Sequence, residues 1–222
     1  MPSTSLATLL VLADGRLPAG GHAHSGGLEA AVAAGRITDL VGLAGFLRGR
    51  LATSGVVAAA FAAAACARTP EWAALDAGLD ARTPSPALRR ASRAQGRALL
   101  RAGRAIWPAP QLRTTSTGAA PHHPVALGLV AAAAGLRPRE AAVAAAHGTL
   151  TGPASAAVRL LGLDPYGVHA LLADLAGACD RIADDADAGA GDPVDGLPAA
   201  GAPLLDIGAE FHATWEVRLF AS

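Results

Sequence analysis

LPAGGHAHSGGLEAAV, from Leu17 to Val32, places two histidines, a serine and four glycines between a proline and an apolar run. Within it, Ala23-His24-Ser25-Gly26-Gly27 has the A-x-S-x-G spacing of a nucleophile turn, in which a buried strand presents a strained serine at a sheet edge. The residues before Ala23, ADGRLPAGGH, are breakers and polar groups that make no such strand. The acid and histidine partners would need strand ends too, so a serine hydrolase is excluded. A phosphate cradle is excluded on the same ground and on a second one, because the chain contains no lysine. What survives is a turn that hands one helix to the next.

Outward from that turn, helical signals recur almost everywhere. Ser5–Ala13 is apolar and ends at Asp14-Gly15 and Pro18, and Leu28–Ala34 closes at Gly35. ITDLVGLAGFLRGRLA (37–52) starts with Thr38 as cap and puts Leu40, Leu43, Leu47 and Leu51 on one face. SGVVAAAFAAAACA (54–67) follows as a nearly all-apolar helix suited to the centre of a fold. TPEWAALDAGLDA (69–81) and SPALRRASRAQGRALLRAGRAIW (85–107) both open with a cap and a proline at the first helical position.

A polar loop is expected over 108–121, then helices over 123–136, 137–163 and 164–188, the second kinked or divided between Gly148 and Pro153. AGAGDPVDGLPAAGAP (188–203) reads as a mobile linker before a last segment, 204–222. No run of alternating β-branched residues and no internal repeat is found. The expected fold is a single all-α domain over residues 1–222, a bundle of about eight to ten helices.

Composition agrees. Apolar residues make up 52 % of the 222 and charged ones 16 %, which excludes disorder. Much of the apolar content is alanine, the strongest helix former, and aromatics are 4 %. All 18 basic residues are arginines, so no Schiff base or P-loop lysine exists. Formal net charge is zero, which speaks against nucleic-acid binding. Arg89, Arg90, Arg93, Arg97, Arg101 and Arg104 nonetheless form a stripe at helical spacing, either a solvated face or a surface for an anionic partner. Cys66 and Cys179 lie far apart in apolar runs and read as buried small hydrophobes in a reducing compartment. The first residues lack a basic leader, and no apolar run is long enough to span a bilayer. A cytoplasmic protein without membrane contact is expected.

The histidines leave a metal reading open. His22 and His24 could offer two imidazoles to one ion, His122-His123 form a second pair, and imidazole suits nickel, copper and zinc. Two histidines are an incomplete site, and Glu29 is the one nearby carboxylate. A turn packed by neighbouring helices is the competing account. The sequence implies no tightly bound cofactor and no catalytic residue. The alternative is an all-α metal-binding chaperone or enzyme acting on an ion through His22 and His24.

Five stretches together resemble the UreF family of urease accessory proteins. They are LLVLADGRLPAGGHAHSGGLEAAVAAGRITD, with its Leu-Pro-x-Gly and Ser-x-Gly-Leu-Glu elements; SRAQGRALL; HHPVALGLVAAAAGL, with His-x-Pro-x-x-x-Gly; ASAAVRLLGLD, with Ala-x-Arg-Leu; and the closing HATWEVRLFAS, with Arg-Leu-Phe-x-Ser. They occur in the family's order across nearly the whole chain. Two departures are His22 and His24, where the family usually carries aromatic residues, and Gly162-Leu163-Asp164-Pro165, where it often carries Pro-Leu-Gly-Gln.

The resemblance implies a non-enzymatic helical scaffold, usually a homodimer. It would bind the UreD/UreH accessory protein and recruit the GTPase UreG to apo-urease for nickel delivery. It assigns UreD/UreH docking to Trp215, Arg218, Leu219 and Phe220, places Glu29 and the Leu-Pro-Ala-Gly-Gly turn in a UreG-facing or core region, and gives Arg159 a partner role. His22 and His24 are then candidates for transient contact with nickel in transit. The tail also has the composition of an interface hot spot, aromatics plus arginine.

Overall fold

A computed structural model describes residues 6–113 and 120–222. The expected Ser5 helix start and the 114–119 part of the polar loop lie outside the described residues. The helices are α1 (Leu6–Ala13), α2 (Leu28–Ala33), α3 (Leu40–Arg50), α4 (Val56–Ala67), α5 (Trp72–Ala81), α6 (Pro86–Ile106), α7 (Pro110–Arg113), α8 (His123–Ala133), α9 (Pro138–Leu161), α10 (Pro165–Ala188) and α11 (Pro203–Ala213). No strand occurs among the described residues, and the fold is all-α.

Local chemistry accounts for most of the boundaries. Ser85 Oγ accepts from Leu88 N at 3.1 Å with Pro86 next to it, so α6 starts where the cap and proline place it. Asp164 caps α10 through the amides of Tyr166 and Gly167. The cap of α3 is Asp39, not Thr38: its Oδ1 accepts from Gly42 N at 2.8 Å. A carboxylate also suits the helix dipole better than a hydroxyl does.

Two expected divisions between helices are absent. α3 and α4 are joined through a π-helical segment, Leu51–Gly55, into one continuous helix from Leu40 to Ala67. It is long and apolar enough to cross a membrane, but most of its apolar window is buried inside the fold, as a core helix requires. α9 likewise runs unbroken through Pro153. A proline has no amide hydrogen to give the carbonyl four residues back, here Thr149. Arg50 supplies the missing donor, its Nε standing 3.0 Å from Thr149 O while a terminal nitrogen reaches Gly26 O at 2.7 Å.

α4 is the axis of the core and packs on α8, α9 and α10. Its residues Ala59–Ala65, Phe61 included, are sealed from solvent. Each alanine buries little area, so cohesion depends on close approach of the backbones. Gly128 on α8 makes that possible: a Cβ there would sit 2.3 Å from Ala62 O. Gly96 on α6 does the same against Pro121 O, at 2.0 Å. These are the glycines of the His-x-Pro-x-x-x-Gly and Gln-Gly elements, and both set helix packing distances. Cys66 and Cys179 are free and buried, and burial, the larger cause, pushes the Cys66 thiol up to about 12.

The 188–203 segment, expected as a free linker, is held at several points. α10 extends to Ala188, and Arg82 donates to the carbonyls of Val194, Leu197 and Pro198 at 2.8–3.0 Å. Ala190 and Leu197 are buried.

Candidate functional site

Gly26 and Gly27 adopt φ of +62° and +90°, a left-handed conformation that L side chains disfavour. They swing the chain into α2 so that Glu29, in its first turn, points inward. The carboxylate is buried, and three donors from the far end of the chain meet it. His212 Nε2 lies 2.7 Å from Oε2, Leu219 N 2.8 Å from Oε1 and Phe220 N 3.1 Å from Oε2. Burial raises the pKa of Glu29, but His212 and the two amides outweigh it and hold the group below its ordinary 4.5.

Around this carboxylate the tail is laid along the N-terminal turn. Ala221 N donates to Ala23 O at 2.7 Å, and Ser25 N and Oγ both donate to Ser222 O, at 2.6 and 2.8 Å. Ser25 Oγ in turn accepts from Glu29 N at 3.2 Å. The serine is fully buried and its hydroxyl is engaged on both sides, the opposite of an exposed nucleophile. His24 Nδ1 is 2.7 Å from Ser222 Oγ. The Arg159 guanidinium stacks 4.7 Å above the Phe220 ring.

The candidate residues are thus brought together, but not with one orientation. Trp215, Arg218, Leu219 and Phe220, the residues assigned to docking, differ in exposure. Phe220 is 4 % exposed and belongs to the core cluster with Leu28, Leu150 and Ala157. Glu29 accepts from the amides at 219 and 220, and the two adjacent side chains lie on opposite sides of the segment it holds. Leu219 is 66 % exposed and Val217 85 %. Arg218 is exposed, and Trp215 is half-buried against His212 and Phe211. Leu204, Ile207 and Phe211 are also exposed, along one face of α11.

His22 is exposed and His24 half-buried. No group of three or more His, Cys, Asp or Glu that could hold a metal occurs among the described residues. Burial, then the neighbouring His22, lowers the pKa of His24. Burial, then His24, lowers that of His123 to about 4. The other member of the second pair, His122, is buried with Nε2 at 3.0 Å from Asp80 Oδ1, and its amide donates to Asp76. Arg93 bridges the same two carboxylates at 2.8 Å. That cluster staples α5 and α6 to the start of α8.

The clasp roles of His212, Ser25 and Ser222 are not legible in the sequence, nor is the internal cap by Arg50. No local pattern links residues about 190 apart.

An all-α protein whose two ends are clasped around one buried carboxylate is the class that this geometry defines. The profile of the UreF family matches residues 37–176. Beyond that span, the chain is 51 % identical over 219 residues to the urease accessory protein UreF of Mycobacterium sp. (strain JLS), covering 99 % of this chain and 100 % of that one. It is 47 % identical over 222 residues to the UreF of Mycolicibacterium vanbaalenii and 45 % over 221 to that of Mycobacterium tuberculosis (strain H37Rv), with the same coverage. The chain belongs to the UreF family.

Proposed function

We propose that this chain is a non-enzymatic scaffold of urease maturation. It docks on UreD/UreH through the outward side of its tail and recruits UreG to apo-urease, as a homodimer in the cytoplasm, while nickel is delivered. The observation that carries this reading is the division of the tail. Buried Phe220 and the Glu29 clasp hold the segment in place, and Val217, Leu219 and the α11 row Leu204, Ile207 and Phe211 are left facing out. A fixed apolar ridge of this kind is the composition of an interface, not of a solvated surface.

Deleting the tail would be a poor test, because it strips Glu29 of two donors and the core of Phe220. Val217→Ser/Leu219→Ser changes the outward side alone. Pull-down of purified UreD/UreH by the variant is expected to fall at least about ten-fold with the fold intact by circular dichroism. Undiminished capture would count against the reading.

A second reading concerns nickel as cargo. Burial keeps His24 and His123 neutral near pH 7, the state an imidazole needs to meet a metal, and exposed His22 stands near His24. Brief contact through His22 and His24 suits a carrier that must release its ion. Urease activation is expected to drop in His22→Ala/His24→Ala while complex assembly persists. Normal activation would leave both as packing residues.

A further inference from the structure

α6 carries six arginines and no acidic residue over 21 positions. Three of the six are used inside the fold. Arg89 pairs with Asp80, Arg93 with Asp76 and Asp80, and Arg104 donates to Leu112 O. The other three, Arg90, Arg97 and Arg101, are exposed, and among the described residues none has a salt-bridge partner.

At 100° per residue these three fall within about 40° of one another on the helix surface and span about 16 Å along it. Arg97 and Arg101, at i and i+4, repel each other. None of the three is tied into the fold by a salt bridge among the described residues. A helix face meant only for water interleaves both signs, whereas the acids of this neutral chain are gathered elsewhere: Asp174, Asp180, Asp184, Asp185 and Asp187 are all exposed on α10. The acid that senses Arg90, Glu210, is already bound to Ser85 Oγ and to Ala87 N at 2.8 Å.

The row also has a direction. Arg90 and tail residue Arg218 line one cleft of about 230 Å³, floored by Ala91, Ala94 and Ala213. The basic line therefore starts at the tail and runs away from it along α6. We propose that Arg90, Arg97 and Arg101 receive an acidic face of the protein that docks on the tail, with carboxylates spaced over about 16 Å. Charge complementarity carries this, and exposed Ala94 between the arginines lets a partner helix lie close. Nucleic acid fits less well, since the row is one side chain wide and sits on a chain with pI near 7.1.

The inference rests on the scaffold reading above, and one experiment separates the two. Binding of purified UreD/UreH to the full chain is measured between 50 and 500 mM salt, for the wild type, for Arg90→Gln/Arg97→Gln/Arg101→Gln, and for Arg181→Gln on α10 as control. A 20-base-pair duplex is titrated in parallel. The wild type is expected to bind more weakly as salt rises. The triple variant is expected to bind about ten-fold more weakly at low salt, with a flatter salt dependence and an unchanged circular dichroism spectrum. Equal affinity and equal salt dependence of triple variant and wild type overturn the inference and leave the scaffold reading standing. No binding by the wild type overturns both. Arginine-dependent binding of the duplex, with none of that dependence toward UreD/UreH, replaces the acidic protein by nucleic acid.

Discussion

His212 and Glu29, 183 residues apart, meet at 2.7 Å inside the protein, and the carboxylate that joins them also accepts the amides of Leu219 and Phe220. One acid in the first turn of α2 thus holds the last helix and the tail. Glu29→Ala leaves a buried imidazole and two buried amides without an acceptor. It is expected to destabilise the fold by about 3 kcal/mol, and Glu29→Gln by less, since an amide oxygen still accepts. Urea unfolding of the two variants checks this, and a change below about 0.5 kcal/mol for Glu29→Ala would contradict it.

Arg50 and Pro153 form a second such pairing. Burial pushes the guanidinium down to about 10, the cost of placing it where it serves Thr149 O and Gly26 O. Arg50→Met is expected to lose roughly 2 kcal/mol. In a Pro153→Ala background the loss should shrink by about 1 kcal/mol, because the new amide hydrogen satisfies Thr149 O. A double-mutant cycle with no coupling would show that the arginine does not compensate the proline.

The glycines divide by what stands above them. Gly128→Ala forces a Cβ to 2.3 Å from Ala62 O and is expected to cost about 3 kcal/mol or to prevent folding. Gly45 and Gly49 on α3 face open space, and alanine at either should stabilise by about 0.5–1 kcal/mol. Thermal melts of the single variants separate the two classes.

Acid should weaken the fold in two stages. His24, His122, His123 and His147 all titrate below the ordinary 6.5 when folded, chiefly through burial. Below pH 6.5 the unfolded chain takes up protons that the folded chain refuses, so stability falls with pH from there toward about 4. Glu29 and Asp80 are held below their ordinary values, so their contribution is present above those values and is lost as pH falls through the lower folded ones. Urea midpoints at pH 7.5 and 5.0 check the first stage, and His123→Leu is expected to remove roughly 2 kcal/mol of the loss between them.

Much of the fold was legible because its signals are local. Ser85-Pro86 and Asp164-Pro165 mark helix starts, and the apolar alanine run of α4 announced a central helix. What was not legible depends on partners distant in the chain. Pro153 reads as a break until Arg50, about 100 residues earlier, supplies its missing donor. Phe220 reads as a docking anchor, but it is buried in the core with Leu28 and Leu150. The local signal at Ser25 is the missing strand before it, and what the sequence does not carry is the hydroxyl's bonding on both sides, to Ser222 O and from Glu29 N.

The central claim is that the tail has an inner side that folds the protein and an outer side that meets a partner. Leu219→Ser and Phe220→Ala, adjacent in sequence, test it together when unfolding free energy and affinity for UreD/UreH are measured on the same preparations. The expected result is a split: Leu219→Ser keeps its stability within about 0.5 kcal/mol and loses binding, and Phe220→Ala loses about 3 kcal/mol of stability. Full binding by Leu219→Ser, or wild-type stability in Phe220→Ala, would contradict it.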